Sequence, residues 1–249
     1  MANKLQGKVV LVTGASSGIG EATALALASE GAAVALAARR EDRIDELVKR
    51  ITDNGGKALS IVGDVTDETQ ANDMVKKAHD EFGRLDILVN NAGVMLLGQI
   101  AGANTEDWRR MINTNVLGLM YPTHAALPYM TQQGSGHIVN ISSVAGRTAH
   151  AGSGVYNASK WGVGAFSEAL RQETVKSHIR VTVIEPGMVA TELTSHITDQ
   201  KAKQAIQERA KHTRALQSED IANAIIFAVT QPDYVSINEI LIRPTDQEQ

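Results

Sequence analysis

Val9-Val10-Leu11-Val12-Thr13-Gly14-Ala15-Ser16-Ser17-Gly18-Ile19-Gly20 is the stretch on which the fold turns. The unbroken apolar run Val9–Val12 reads as a short strand buried on both faces, the kind found in parallel sheets. A glycine-rich turn follows, and a helix is expected through Glu21 to Glu30. Glycines let the backbone take turn conformations and let a ligand come close, while the first free N–H groups of a helix point at an anion. Gly14, Gly18 and Gly20, with Ser16, Ser17 and Ile19 between them, are therefore a candidate pyrophosphate cradle. Their spacing is G-x-x-x-G-x-G, not the G-x-G-x-x-G of the dinucleotide fingerprint. A tight strand-to-helix turn with no ligand is the plainer reading, but a position after the first strand of an α/β chain weighs against it.

Outward from this turn, short β-branched runs alternate with longer amphipathic segments, the pattern of βαβ units and a parallel sheet. Strands are expected at Lys8–Val12, Ala33–Ala37, Ala58–Val62, Ile87–Val89, His137–Ile141, Arg180–Ile184 and Glu239–Ile242. Between them, Ile44, Leu47, Val48 and Ile51 recur at helical spacing from Asp42 to Asp53. Thr105 is the expected cap of a helix with Glu106 and Asp107 in its first turn, where the dipole favours acids. No repeat or linker interrupts the chain. The expectation is one α/β domain over 1–249: a Rossmann-type doubly wound parallel sheet of about seven strands, with helices on both faces. The segment from Thr191 to Arg214 is polar with weak periodicity, and a small lid is expected over about 188–215.

Composition excludes several classes of function. The 249 residues carry a net charge of −4, which gives no electrostatic case for nucleic acid or an anionic membrane. The absence of cysteine removes disulfides, thiolate zinc sites and a cysteine nucleophile. No signal-peptide pattern opens the chain and no apolar stretch is long enough to span a bilayer, so a cytoplasmic protein is expected. The seven histidines form no H-E-x-x-H pair, and no metal is expected. His178 and His212 read as exposed and His137 as the start of a strand. The acid pairs Glu41/Asp42 and Glu219/Asp220 read as helix N-termini rather than as an acid/base pair.

Chemistry enters with Tyr156-Asn157-Ala158-Ser159-Lys160, thirteen residues after Ser143. On a helix from about Ser153 to Val175, Tyr156 and Lys160 are i and i+4 and share a face. A nearby ammonium favours phenolate, so Lys160 is expected to lower the Tyr156 pKa toward neutrality. Such a tyrosine serves as general acid or base at a carbonyl or carbinol, with Ser143 as the second hydroxyl on the reacting oxygen. The end of the second strand, Leu36-Ala37-Ala38-Arg39-Arg40, bears on cofactor choice. A site for NAD places an acid there to accept from the ribose 2′-OH, whereas a site for NADP has small residues and an arginine. Ala38 takes the acid's place and Arg39 can clamp a 2′-phosphate with its planar fork, Arg40 being the other candidate. NADP(H) is the expected cofactor.

These motifs, with Asp64-Val65, Asn90-Asn91-Ala92-Gly93, Asn115 and Pro186-Gly187, follow one another in an order that resembles the classical short-chain dehydrogenase/reductase family over nearly the whole chain. The resemblance implies a catalytic tetrad of Asn115, Ser143, Tyr156 and Lys160. In it Tyr156 exchanges the proton, Ser143 steadies the substrate oxygen, Lys160 also binds the nicotinamide ribose, and Asn115 holds a water of the proton relay. It further implies that Asp64 meets the adenine amine, beside Val65. Asn91, Ala92 and Gly93 would line the adenosine, and Met188, Val189 and Thr191 would lie near the nicotinamide after Pro186-Gly187. Glu185 stands where many family members have Asn or Ser. The runs Asn91–Leu97, Glu185–Gly187 and Glu239–Asp246 look most like a bacterial subgroup with clavulanate dehydrogenase and NADP-dependent 3-hydroxy acid (serine-type) dehydrogenases. That suggests a small polar carbonyl or β-hydroxy acid as substrate, and a homotetramer. The alternative is a non-catalytic NADP-binding regulator or scaffold, against which the intact Ser143, Tyr156 and Lys160 argue.

Overall fold

The structure, a computed structural model, describes residues 3–248, and of 209–212 the backbone alone, so the exposure expected for His212 lies outside the described residues. In chain order the elements are β1 (Val9–Thr13), α1 (Gly18–Ser29), β2 (Ala33–Ala38), α2 (Glu41–Asp53), β3 (Lys57–Val62), α3 (Glu68–Phe82), β4 (Ile87–Asn90), α4 (Thr105–Ile112), α5 (Gly118–Gln133), β5 (Gly136–Ile141), α6 (Gly154–Thr174), β6 (Ile179–Pro186), α7 (Gln200–His212), α8 (Ser218–Val229) and β7 (Glu239–Ile242). The strands form one parallel sheet in the order β3-β2-β1-β4-β5-β6-β7. All seven expected strands are present, with ends that differ by no more than two residues.

Period-two burial explains the layers. Every residue of β1 is buried. Val10 and Val12 pack on one face against Leu27 of α1, Leu47 of α2 and Ile225 of α8, while Val9 and Leu11 pack on the other against Met74 of α3, Met130 of α5 and Leu170 of α6. Burying each such side chain stabilises the fold by about 1.5–3 kcal/mol, so both faces select aliphatic residues. The chain builds outward from β1 to β3, returns to β4, and builds outward again to β7. Between β1 and β4 the crossovers leave on opposite faces, and a crevice opens at the carboxyl ends of the strands.

Two helix starts differ from expectation. Asn104, not Thr105, caps α4, its side chain accepting from the Glu106 amide at 3.0 Å. Both residue types cap well, and the sequence pattern alone does not separate neighbours. Helix α1 begins at Gly18 rather than Glu21, because Gly18-Ile19-Gly20 already forms its first turn. The lid segment holds a 3-10 turn, Glu192–His196, followed by α7, whose cap Asp199 accepts from the Ala202 amide at 2.8 Å. Among the described residues no helix is long and apolar enough to cross a membrane.

His137, the second residue of β5, is 1% exposed. Thr182 Oγ1 donates to the Ile237 carbonyl at 2.5 Å, so it accepts from His137 Nε2–H at 2.7 Å. His137 Nδ1 is left buried without a partner. Burial, with Arg180 nearby, pushes its pKa down to about 3. Between about pH 6.5 and pH 3 the unfolded chain therefore binds a proton that the native chain does not, and stability falls as the pH falls through that window. Urea unfolding is expected to show His137→Gln, which keeps a donor for Thr182 but does not titrate, losing about 2 kcal/mol less than the wild type between pH 7 and pH 5. Parallel losses would show that His137 is not the buried base.

Candidate active site

The crevice is shaped by a backbone contact that leaves no room for side chains. Gly14 has φ +65°, and a Cβ there would sit 2.8 Å from the Ala92 Cα. A Cβ on Gly20 would lie 2.4 Å from the Gly14 carbonyl oxygen and 2.5 Å from Asn91 Nδ2. Thr13 and Asn91 stitch this contact together. The Asn91 amide side chain donates to the carbonyls of Thr13 and Gly14 at 3.0 and 3.1 Å, and Thr13 Oγ1 accepts from the backbone of Asn91 and Ala92 at 3.1 and 3.2 Å. The N-terminus of α1 faces the resulting cleft, and Ser17 at its cap makes no side-chain capping bond.

The cleft encloses about 460 Å³ and is lined from the carboxyl ends of the strands. Gly14, Ser16, Ser17, Gly18 and Ile19 come from the turn after β1; Ala38, Arg39 and Arg40 follow β2; Asp64 and Val65 follow β3. Asn91, Ala92 and Gly93 follow β4, and Pro186, Gly187, Met188, Val189 and Thr191 follow β6. Ser143, Tyr156 and Lys160 complete the walls. Two of the expected residues stand behind them: Gly20 packs under the turn, and Asn115 is buried in the protein. A glycine turn that admits no Cβ, a helix N-terminus and an elongated cleft fit an extended diphosphate cofactor.

The two arginines after β2 behave differently. Arg39 is 65% exposed at its side chain and reaches Asp64 Oδ2 at 3.4 Å. Arg40 turns back over the glycine turn. Its Nε donates to Ser16 Oγ at 3.1 Å, one terminal nitrogen donates to Ser17 Oγ at 2.7 Å, and the other donates to Glu192 of the lid at 2.9 Å. That ion pair, with Ser17 nearby, holds the Glu192 carboxyl below its ordinary pKa.

At the other end of the cleft, α6 presents Tyr156 and Lys160 one turn apart, and both are 6% exposed. The Ser143 hydroxyl lies on the Tyr156 side of the cleft, near enough to act on the phenol. Lys160 Nζ lies 5.9 Å from the Tyr156 ring centroid and donates to the Ile141 carbonyl at 2.8 Å. The expected lowering of the Tyr156 pKa does not occur here. Burial pushes the phenol up to about 12, against which the neighbouring Ser143 hydroxyl acts, and burial pushes Lys160 down to about 8. Desolvation disfavours phenolate and ammonium alike, and the ammonium is directed at a backbone carbonyl. Near neutral pH the pair is thus a phenol beside an ammonium.

Asn115 sits in a π-helical turn, Asn113–Leu117, where the widened backbone turns its side chain inward. Its amide donates to the Val94 carbonyl at 2.9 Å and to Ser159 Oγ at 3.1 Å, and accepts from the Val94 amide at 2.8 Å. These bonds commit the side chain to holding the Val94 segment against α6. Sequence reading also passed over Asn157, which donates to the carbonyls of Ala145 and Thr148 at 2.8 and 2.7 Å and accepts from Ser153 Oγ at 2.7 Å. It pins the loop after Ser143 to the helix of Tyr156. The only signal for it was its place beside Tyr156. Among the described residues no cluster of three or more His, Asp or Glu could hold a metal ion.

Known proteins share this architecture. The curated relatives include an uncharacterised oxidoreductase of Staphylococcus saprophyticus, 44% identical over 248 residues, which are 98% of this chain and 99% of that one. A glycine betaine reductase of Emericella nidulans is 45% identical over 243 residues, 98% of this chain but 19% of that much longer protein. Among solved structures, the closed form of a serine dehydrogenase complexed with NADP+ superposes with a TM-score of 0.89 at 37% identity, covering 96% of each chain. The family model described as short chain dehydrogenase matches residues 8–202, a span that runs from β1 through the glycine turn, Ser143 and Tyr156 into the lid. By that match and by near full-length identity to its relatives, the chain belongs to the short chain dehydrogenase family.

Proposed function

We propose that the protein is an NADP(H)-dependent oxidoreductase that interconverts a carbonyl and an alcohol, with Tyr156 as the general acid/base. The observation that carries this reading is the convergence of Ser143, Tyr156 and Lys160 on one wall of a cleft that begins at the glycine turn, with the Lys160 ammonium 5.9 Å from the Tyr156 ring centroid. The cofactor, when bound, supplies a hydride to the carbonyl carbon. Tyr156, whose proton is tightly held, gives that proton to the carbonyl oxygen, and Ser143 donates a second hydrogen bond to the same oxygen. Lys160 stabilises the phenolate that results and the ribose hydroxyls.

For the cofactor's 2′-phosphate, the fork of Arg40 over Ser16 and Ser17 supports giving Arg40 a larger share than Arg39, whose side chain points outward. Ala38 leaves space where an acid would repel the phosphate. The serine dehydrogenase neighbour with NADP+ supports the same choice. On the substrate side, Val94, Met95, Leu97, Val144, Met188, Leu193 and Ile206 form apolar walls beside His150, Ser153 and Asn157. Among the described lining residues there, Lys160 is the one cationic Lys or Arg side chain. This favours a small uncharged carbonyl over a hydroxy acid. A homotetramer remains the proposed assembly, supported by exposed Trp161 on α6, Phe227 on α8 and Leu241 on the edge strand β7. A stable monomer at micromolar concentration in light scattering would overturn it.

Tyr156→Phe is expected to lower kcat by at least ~10²-fold in a screen of NADPH oxidation against small aldehydes and ketones, with little change in NADPH affinity. Lys160→Ala is expected to damage both. Near-normal turnover in Tyr156→Phe would refute the acid/base assignment. Arg40→Ala is expected to weaken NADPH by about 1.5–3 kcal/mol and leave NADH nearly unchanged, because only NADPH carries the anion. Arg39→Ala should cost less. Equal wild-type affinity for the two cofactors, measured by fluorescence titration, would contradict the arginine reading.

A further inference from the structure

Glu185 is an acidic residue next to cleft-lining Pro186, at 3% exposure, with no part in the reaction as described. It precedes Pro186 at the end of β6 and is held by a two-pronged ion pair. Arg147 Nε lies 2.8 and 2.9 Å from its two carboxylate oxygens, and an Arg147 terminal nitrogen lies 2.8 Å from Oε2. The same terminal nitrogen pairs with Glu239 at the start of β7. A bidentate guanidinium–carboxylate pair fixes direction as well as distance.

Arg147 directly follows the 3-10 turn Val144–Gly146, whose N-cap is Ser143. Ser143 Oγ accepts from the Ala145 amide at 3.1 Å and donates to the Pro186 carbonyl at 3.4 Å. One short turn is therefore fastened at both ends to the end of β6. Its far end is clamped to Glu185, and its near end, which carries the Ser143 hydroxyl, rests on Pro186. Both bonds of Ser143 are weak or local, whereas the Arg147 clamp is charged and sits on a buried anchor.

We propose that Arg147, through its bidentate pair with Glu185, is a positioning residue for Ser143, holding the turn so that the serine hydroxyl meets the substrate oxygen and Tyr156. The proposal rests on the role given to Ser143 above. It predicts that the effect of Arg147 on turnover passes through Ser143.

A double-mutant cycle tests this, with 4-nitrobenzaldehyde and NADPH as substrates for the wild type, Ser143→Ala, Arg147→Met and the double variant. Arg147→Met is expected to lower kcat by about 10- to 100-fold, because a misplaced hydroxyl loses most of its transition-state contact. The Kd for NADPH should stay within about twofold. In the Ser143→Ala background Arg147→Met should lower kcat no further, although it lowers Tm as much as it does alone. If Arg147→Met does not fold, Arg147→Lys, which keeps the charge and loses the fork, takes its place in the cycle. Equal kcat losses in both backgrounds would overturn the positioning role and leave a structural one. Full turnover by Ser143→Ala would instead overturn the role of Ser143, and the proposal with it.

Discussion

The contact between two pieces of backbone, at Gly14 and Gly20 on one side and Asn91-Ala92 on the other, is the constraint on which the rest of the site depends. Parallel strands β1 and β4 are neighbours, so the segments leaving their carboxyl ends must separate within a few ångströms of each other. They can do so only because neither glycine carries a Cβ and because Thr13 and Asn91 satisfy the polar groups exposed by the parting chains. The crevice that results has free helix N–H groups at one end. At the other, β5 and α6 bring Ser143 and Tyr156 to the same level. A larger residue at Gly20 would push α1 away from the turn and misalign both ends at once.

Burial does the second part of the work. Tyr156 and Lys160 sit in surroundings apolar enough to push both toward their neutral forms, the phenol up to about 12 and the ammonium down to about 8. A phenol so placed keeps its proton at neutral pH, the form from which the proposed carbonyl reduction starts. The proposed oxidation would start from the phenolate, which the charge on Lys160, 5.9 Å from the ring centroid, would stabilise. The ion pairs of the site act at longer range. Arg40 links the glycine turn to the lid through Glu192, so the two walls of the cleft are joined at the cofactor end.

Much of this was legible in the sequence because the relevant patterns are local. The apolar runs of β1 and β2, set between helical segments, read as buried strands of a parallel sheet, and the i, i+4 spacing of Tyr156 and Lys160 put them on one face once α6 was accepted as a helix. What was not legible depends on contacts between segments far apart in the chain. The spacing of Arg39 and Arg40 after β2 does not reveal which turns inward; Arg40 does so because it is the N-cap residue of α2, with Ser16 and Ser17 within reach. Desolvation of Tyr156 could not be weighed without its surroundings, so the effect of Lys160 was overrated. Glu185 stood out in sequence, but its partner Arg147 lies 38 residues away and only the fold joins them.

The most direct measurement follows a single atom. If the protein reduces a carbonyl compound in ordinary water with NADPH carrying deuterium at the transferred position of nicotinamide C4, mass spectrometry of the alcohol should find one deuterium per molecule, bound to the carbinol carbon. Repeating the reaction in heavy water with unlabelled cofactor should leave that carbon free of deuterium, because under the proposed mechanism the solvent-derived proton goes to oxygen. An alcohol whose carbinol hydrogen came from water, or NADPH bound tightly but never oxidised across a broad carbonyl panel, would contradict the account.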